Sequence, residues 1–186
     1  MCIRDSDILH RCISNNDHSK QPLEQSLAPS MDIMVSSNFE RLLFDLYDRD
    51  GSEIKRLMSD FESGSMSLSE SSLREARQVF SSFRLDDEGM LKVISGVYNK
   101  TGYVLDPHTA IGVEAGRKER STQKTPMVCL ATAHPAKFPD AIKAAGSMDD
   151  PELPHHMRDL FDKEERYQVL ENDIDSVHAH IQQCLN

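Results

Sequence analysis

A chain of 186 residues with 38% hydrophobic content can bury one modest core, which excludes a disordered composition. Its 31 acidic residues against 21 basic ones give a formal charge of −10; this argues against a nucleic-acid surface and against attachment to anionic membrane, and leaves open a locally positive pocket for a small anion. Four cysteines, Cys2, Cys12, Cys129 and Cys184, lack any paired spacing, so neither a zinc site nor a disulfide framework is indicated and a reducing, cytoplasmic setting is expected.

Met1, Cys2, Ile3, Arg4, Asp5 and Ser6 form a polar, mixed-charge start with no apolar run of signal-peptide length. Residues 8–14 read as the tail of a helix, broken by Asn15, Asn16 and Asp17, and 20–29 read as loop. Met31, Ile33, Met34 and Val35 around Asp32 predict a short strand. Ser37 and Glu40 stand at capping-box spacing, so a helix is expected from about Asn38 to Arg49 with Phe39, Leu42, Leu43, Leu46 and Tyr47 inward. Strand, polar turn and helix start together make an anion site, because free backbone amides and the helix dipole both favour phosphate. The alternative is structural: a capping serine, and Arg41 paired with Asp45 one turn on.

A second helix is expected over 52–63, with Ile54, Leu57, Met58 and Phe61 inward and Gly64 ending it. Ser67 and Glu70 repeat the capping-box spacing ahead of a helix whose inner face is Leu73, Ala76, Val79, Phe80 and Phe83. These helices read as scaffold. Arg84 and Leu85 read as extended, Asp86 or Asp87 caps a helix carrying Leu91, Val93, Ile94, Val97 and Tyr98, and Gly102 suits its left-handed stop.

Asp106 then suits a cap and Pro107 the first helical position, so 109–118 are expected helical. An aspartate and a histidine, Asp106 and His108, at a helix entrance can position a substrate, orient a water or bind a metal, the last only with His134 as a spatial neighbour. The short apolar run 127–130 after Pro126 predicts a buried strand, and Pro135 opens a helix that continues through Ala141, Ile142 and Ala145 to Gly146. Ligands in open α/β sheets sit at the carboxyl ends of strands, so Thr132 and His134 project where small molecules bind; alternatively Thr132 merely caps the helix. Residues 147–154 read as turns. His155 and His156 begin or precede a helix with Met157, Leu160 and Phe161; 167–170 suit a last strand and 173–185 a last helix with Ile174, Val177 and Ile181 inward. No membrane-length apolar run and no internal repeat is visible.

Three stretches resemble threonine synthase, and they occur in the family's order. They are Pro29, Ser30, Met31, Asp32, Ile33, Met34, Val35, Ser36, Ser37, Asn38, Phe39, Glu40 and Arg41; Tyr103, Val104, Leu105, Asp106, Pro107, His108, Thr109 and Ala110; and Leu130, Ala131, Thr132, Ala133, His134, Pro135, Ala136, Lys137 and Phe138. The family is of fold type II pyridoxal-phosphate enzymes and converts O-phosphohomoserine and water into threonine and phosphate. The resemblance implies an α/β fold: the helix-rich C-terminal part of such an enzyme, with a few mostly parallel strands flanked by helices and belonging to a larger sheet. It covers about residues 7–186, an incomplete portion of the catalytic region. Residues 1–6 depart from it and are expected to be a non-native start, or else a divergent terminus.

The resemblance further implies that Thr132 offers a neutral hydroxyl to the cofactor's pyridine nitrogen, with Ala131 and His134 beside it. It makes Ser36, Ser37, Asn38 and Arg41 substrate contacts and sets Asp106 and His108 at the pocket. The cofactor lysine and the phosphate-cradling loop are expected in a missing N-terminal part of the same chain, because Lys137 matches a different motif and no glycine-rich loop occurs here. No catalytic residue and no metal ligand is assigned, and the portion alone is expected to be inactive. Two other classes remain open: a non-catalytic α/β module binding a phosphorylated metabolite, and a metal-dependent hydrolase using Asp106, His108 and His134.

Overall fold

A computed structural model describes residues 2–3, 7–146 and 151–185. The chain divides into two units, Met1–Pro151 and Glu152–Asn186. The first is helix-rich: α1 (Ile8–Asn15), α2 (Phe39–Leu46), α3 (Gly51–Glu62), α4 (Glu70–Val79), α5 (Asp87–Thr101), α6 (Pro107–Glu119) and α7 (Pro139–Ala144). Its strands are few and short. β1 (Cys2–Ile3) pairs in parallel with β4 (Arg84–Leu85), and β2 (His18–Ser19) pairs antiparallel with β3 (Ser65–Met66).

Two apolar clusters hold this unit. Ile8 and Cys12 of α1, Leu43 of α2, Leu57 and Phe61 of α3, Met66 of β3, Leu68 and Leu73 form one; Ala28, Met31, Met90, Val93, Ile94, Leu105, Ala110, Ile111 and Ile142 form the other. The second cluster packs α5, α6 and α7 around the turn at Met31 and so fixes where the start of α6 stands. Each fully buried Leu, Ile or Met in them contributes about 1.5–3 kcal/mol.

Local chemistry explains the helix ends. Asp50, Ser69 and Asp86 accept the backbone N–H of Ser52, Ser72 and Gly89 at the starts of α3, α4 and α5. Gly102 ends α5 at φ +73°, where a side chain would clash with its own backbone. Two expected capping boxes do not form. The carboxamide oxygen of Asn38 is taken by Arg41, leaving α2 without a side-chain cap, and Ser67 donates its hydroxyl to the Asn16 carbonyl while Ser69 caps α4. The inner face of α4 is Ser72, Leu73 and Ala76; Val79 and Phe80 stay exposed.

Three expected strands are replaced by other structure. Residues 31–35 form no strand; a 3-10 turn, Pro29–Met31, ends at Met31 in the core, because Pro29 presets the helical φ and cannot donate to a ladder. Residues 127–130 form no strand, and Val128 and Leu130 are 78% and 74% exposed. A strand exists only where a neighbour takes its hydrogen bonds, and none of the described residues does so here. The helix expected from Pro135 begins as a 3-10 turn, Pro135–Lys137, and resumes as α7. The expectations for residues 1 and 4–6, and for 147–150 of the turn-rich connection, lie outside the described residues.

The second unit carries 3-10 turns at His155–Met157 and Leu160–Asp162, then α8 (Ile174–Leu185). Residues 167–170 form no strand. Ile174, Val177 and Ile181, expected inward, are 65%, 36% and 49% exposed. Among the described residues no helix is long and apolar enough to cross a membrane.

Candidate functional site

The site is built from the entrance of α6. Pro107 occupies the first helical position, where a missing N–H costs nothing, and Asp106 caps the helix as expected: its Oδ1 accepts the backbone N–H of His108 at 3.0 Å and of Thr109 at 3.3 Å. The same carboxylate takes two side-chain donors. His108 Nδ1 lies 3.0 Å from Oδ1, and the Thr109 hydroxyl donates to Oδ2. Asp106 and His108 are 2% and 4% exposed. Burial pushes the Asp106 carboxyl up, but the hydrogen bonds from His108 and Thr109 outweigh it and hold it below the usual carboxylate range.

Donor logic sets the protons. Ser30 N–H donates to His108 Nε2 at 3.1 Å, so that nitrogen is bare, and the neutral ring carries its proton on Nδ1 toward Asp106. The Phe138 ring packs edge-on against His108 at 4.5 Å between centroids. Thr109 has one hydroxyl proton, which goes to Asp106, and its oxygen accepts the backbone N–H of Thr132 at 3.0 Å. One buried carboxylate thus ties together the start of α6, the turn at Ser30 and the segment at Thr132. Beside it a cavity of about 280 Å³ is lined by Ser26, Leu27, Pro29, Lys137, Phe138 and Ala141.

Thr132 therefore does not cap the following turn. His134 does, its Nδ1 accepting the Ala136 N–H at 3.2 Å. Ala131, Thr132 and His134 are exposed, and the Thr132 hydroxyl has no hydrogen-bond partner among the described residues. A main chain held by Thr109 thus carries an exposed side chain whose neutral hydroxyl is unengaged among the described residues. Ser36, Ser37, Asn38 and Arg41 are not tied to this network. Ser36, Ser37 and Asn38 form the turn into α2 and Arg41 stands in its first turn; Phe39 N–H donates to the Ser36 carbonyl at 2.9 Å and Arg41 donates to Asn38 at 2.7 Å. Asp45, the alternative partner of Arg41, is instead bonded by Arg49.

Metal chemistry finds no support in this geometry. Among the described residues no group of three His, Cys, Asp or Glu side chains is placed to hold an ion, and Asp106 and both nitrogens of His108 are engaged by the chain itself. The residues that pattern reading passed over are Ser30, Thr109 and Phe138. Thr109 stands three residues after its cap, a spacing that signals contact with Asp106; its bond to Thr132 spans 23 residues and has no local signature.

Residues 109–181 match the family described as "Threonine synthase, C-terminal". Threonine synthase of Pseudomonas aeruginosa is 50% identical over 96% of this chain, which spans 38% of that relative's length. A structure of "PLP bound Threonine synthase" from Brucella melitensis superposes with a TM-score of 0.84 at 41% identity, over 97% of this chain and 39% of that one. Threonine synthase from yeast does so with a TM-score of 0.80 at 29% identity, over 97% and 40%. The chain thus spans about two fifths of the length of the relatives it matches. With the three motifs gathered around one buried aspartate in a shared fold, the chain belongs to the threonine synthase family, of which it is a C-terminal portion.

Proposed function

We propose that this chain completes the catalytic region of a cytoplasmic, pyridoxal-phosphate-dependent threonine synthase, a carbon–oxygen lyase that turns O-phosphohomoserine and water into threonine and phosphate. The preceding part of the same chain supplies the cofactor lysine and the phosphate-cradling loop, and the 186 residues alone are inactive. The observation that carries this is the state of Thr132: its main chain is anchored by Thr109 while its side chain is exposed and its hydroxyl is unengaged among the described residues. Identity of 50% to a threonine synthase, and likeness in fold to a threonine synthase that is PLP bound, support the assignment.

The residues present fit one edge of pyridoxal phosphate, because a neutral, unpartnered hydroxyl suits the ring nitrogen and leaves it largely unprotonated. When bound, the cofactor supplies the electron sink for loss of phosphate and addition of water. Thr132 holds the ring edge, with Ala131 giving clearance and His134 closing the turn beside it. Asp106 and His108 serve the pocket from behind, since their polar atoms are spent on the chain. Ser36, Ser37, Asn38 and Arg41 meet the substrate phosphate through hydroxyls, the first amides of α2 and the remaining guanidinium N–H groups.

The test is to join these residues to the preceding coding region and assay release of phosphate and threonine from O-phosphohomoserine. Activity in the longer protein and none in the 186-residue chain is expected. Binding of O-phosphohomoserine without turnover in the longer protein would favour a non-catalytic module.

A further inference from the structure

We propose that Thr109 is the positioning residue for Thr132, and that Asp106 and His108 act by keeping Thr109 in that role. The proposal deepens the assignment of Thr132 to the cofactor ring and rests on it. The hydroxyl of Thr109 does two jobs that only a hydroxyl can do together. It gives its proton to a carboxylate that can only accept, which leaves its lone pairs facing the Thr132 N–H. Serine retains both functions, and valine, equal in shape, retains neither.

Every donor in the network points toward Asp106, from the Ser30 side and from the Thr132 side alike. Ser30 N–H satisfies His108 Nε2, His108 Nδ1–H and the Thr109 hydroxyl converge on Asp106, and the chain of bonds ends at the Thr132 amide. A carboxylate at 106 therefore locks the Thr109 rotor, and the locked rotor sets the height of the Thr132 main chain over α6. Residues 127–132 are exposed and unpaired as a strand, and besides the Thr109 bond the segment touches α6 through the Cys129 thiol, 3.7 Å from the Gly112 carbonyl.

The experiment uses the longer protein loaded with pyridoxal phosphate, in wild-type, Thr109→Val, Thr109→Ser and Thr132→Val forms. Hydrogen–deuterium exchange is read at the peptide bearing Thr132, and the visible spectrum of the bound cofactor is read alongside. Thr109→Val is expected to speed exchange at Thr132 by about tenfold, the loss of one hydrogen bond, and to shift the spectrum in the same direction as Thr132→Val. Thr109→Ser is expected to restore both to wild type. Wild-type exchange and spectrum in Thr109→Val overturn the proposal. A spectral shift in Thr132→Val with a silent Thr109→Val overturns the proposal alone, whereas a silent Thr132→Val overturns the ring assignment and the proposal together. If Thr109→Val does not fold, Thr109→Ser decides: preserved exchange and spectrum support the proposal, and loss of either refutes it.

Discussion

At the scale of single residues, Thr132 and His18 lead to opposite kinds of test. If the Thr132 hydroxyl meets a ring nitrogen, Thr132→Val in the longer protein keeps the shape and loses the partner, at a cost of about 0.5–1.5 kcal/mol, or up to about 3 if a buried group is left unsatisfied. Thr132→Ser is expected to keep most turnover, and Thr132→Asp to be worse than either because a carboxylate favours ring protonation. Turnover and cofactor absorbance on the three variants check the order; an active Asp variant with an unshifted spectrum refutes it. His18 is buried, stacked on Phe39 with Phe61 edge-on, and its Nδ1 has no hydrogen-bond partner among the described residues. Burial first, then the positive charge of Arg11, lowers its pKa from 6.5 to about 4 against the pull of Asp17. The unfolded chain takes up a proton near pH 6.5 that the folded chain refuses until about pH 4, so stability is whole above that window and falls as pH drops through it. The full loss is about 3 kcal/mol. Urea melts of wild type and His18→Phe at about pH 7 and pH 4.5 are expected to converge on acidification, with the variant losing less.

At the scale of elements, α5 ends in one residue whose conformation can be isolated from packing. Gly102 has φ +73° and, its own local backbone aside, nothing within 4 Å of where a Cβ would stand, so Gly102→Ala adds backbone strain without a clash against other residues. A cost of about 1–2 kcal/mol is expected, read as a lowered urea midpoint at constant slope. The stop was legible because glycine after an apolar-periodic helix has few other uses. The run 127–130 misled for the converse reason. Four apolar residues after a proline match a buried strand, yet burial requires a surface that the described residues do not offer, and Val128 stays 78% exposed.

At the scale of the whole molecule, exposed apolar side chains occur in both units. Val35, Val128 and Leu130 in the first are 57%, 78% and 74% exposed, and Phe161, Tyr167, Val169 and Leu185 in the second are 83%, 78%, 82% and 80% exposed. Single exposed apolar groups are ordinary, but adjacent ones on an unpaired segment invite association. The 186-residue chain made alone is therefore expected to self-associate, bind an apolar dye and form no threonine. Light scattering coupled to size exclusion checks this; a monodisperse monomer that melts cooperatively would show an autonomous domain.

Sequence by itself determined the helices and their stops wherever the signal was local. Asp106 and Pro107 start α6, Gly102 ends α5, and the three-four spacing places Leu57 and Phe61 of α3 inside. The family was legible from three motifs, because each is a contiguous run. Tertiary structure alone decided what those motifs do to one another. Asp106 and His108 read as pocket groups when seen in a line of residues, but they are buried and bound to Ser30 and Thr109, and Thr109 reaches Thr132 across 23 positions. The physical reason is that a carboxylate takes whichever donors folding brings within about 3 Å, and spacing along the chain carries no record of a bond that closes only when α5, α6 and α7 have packed.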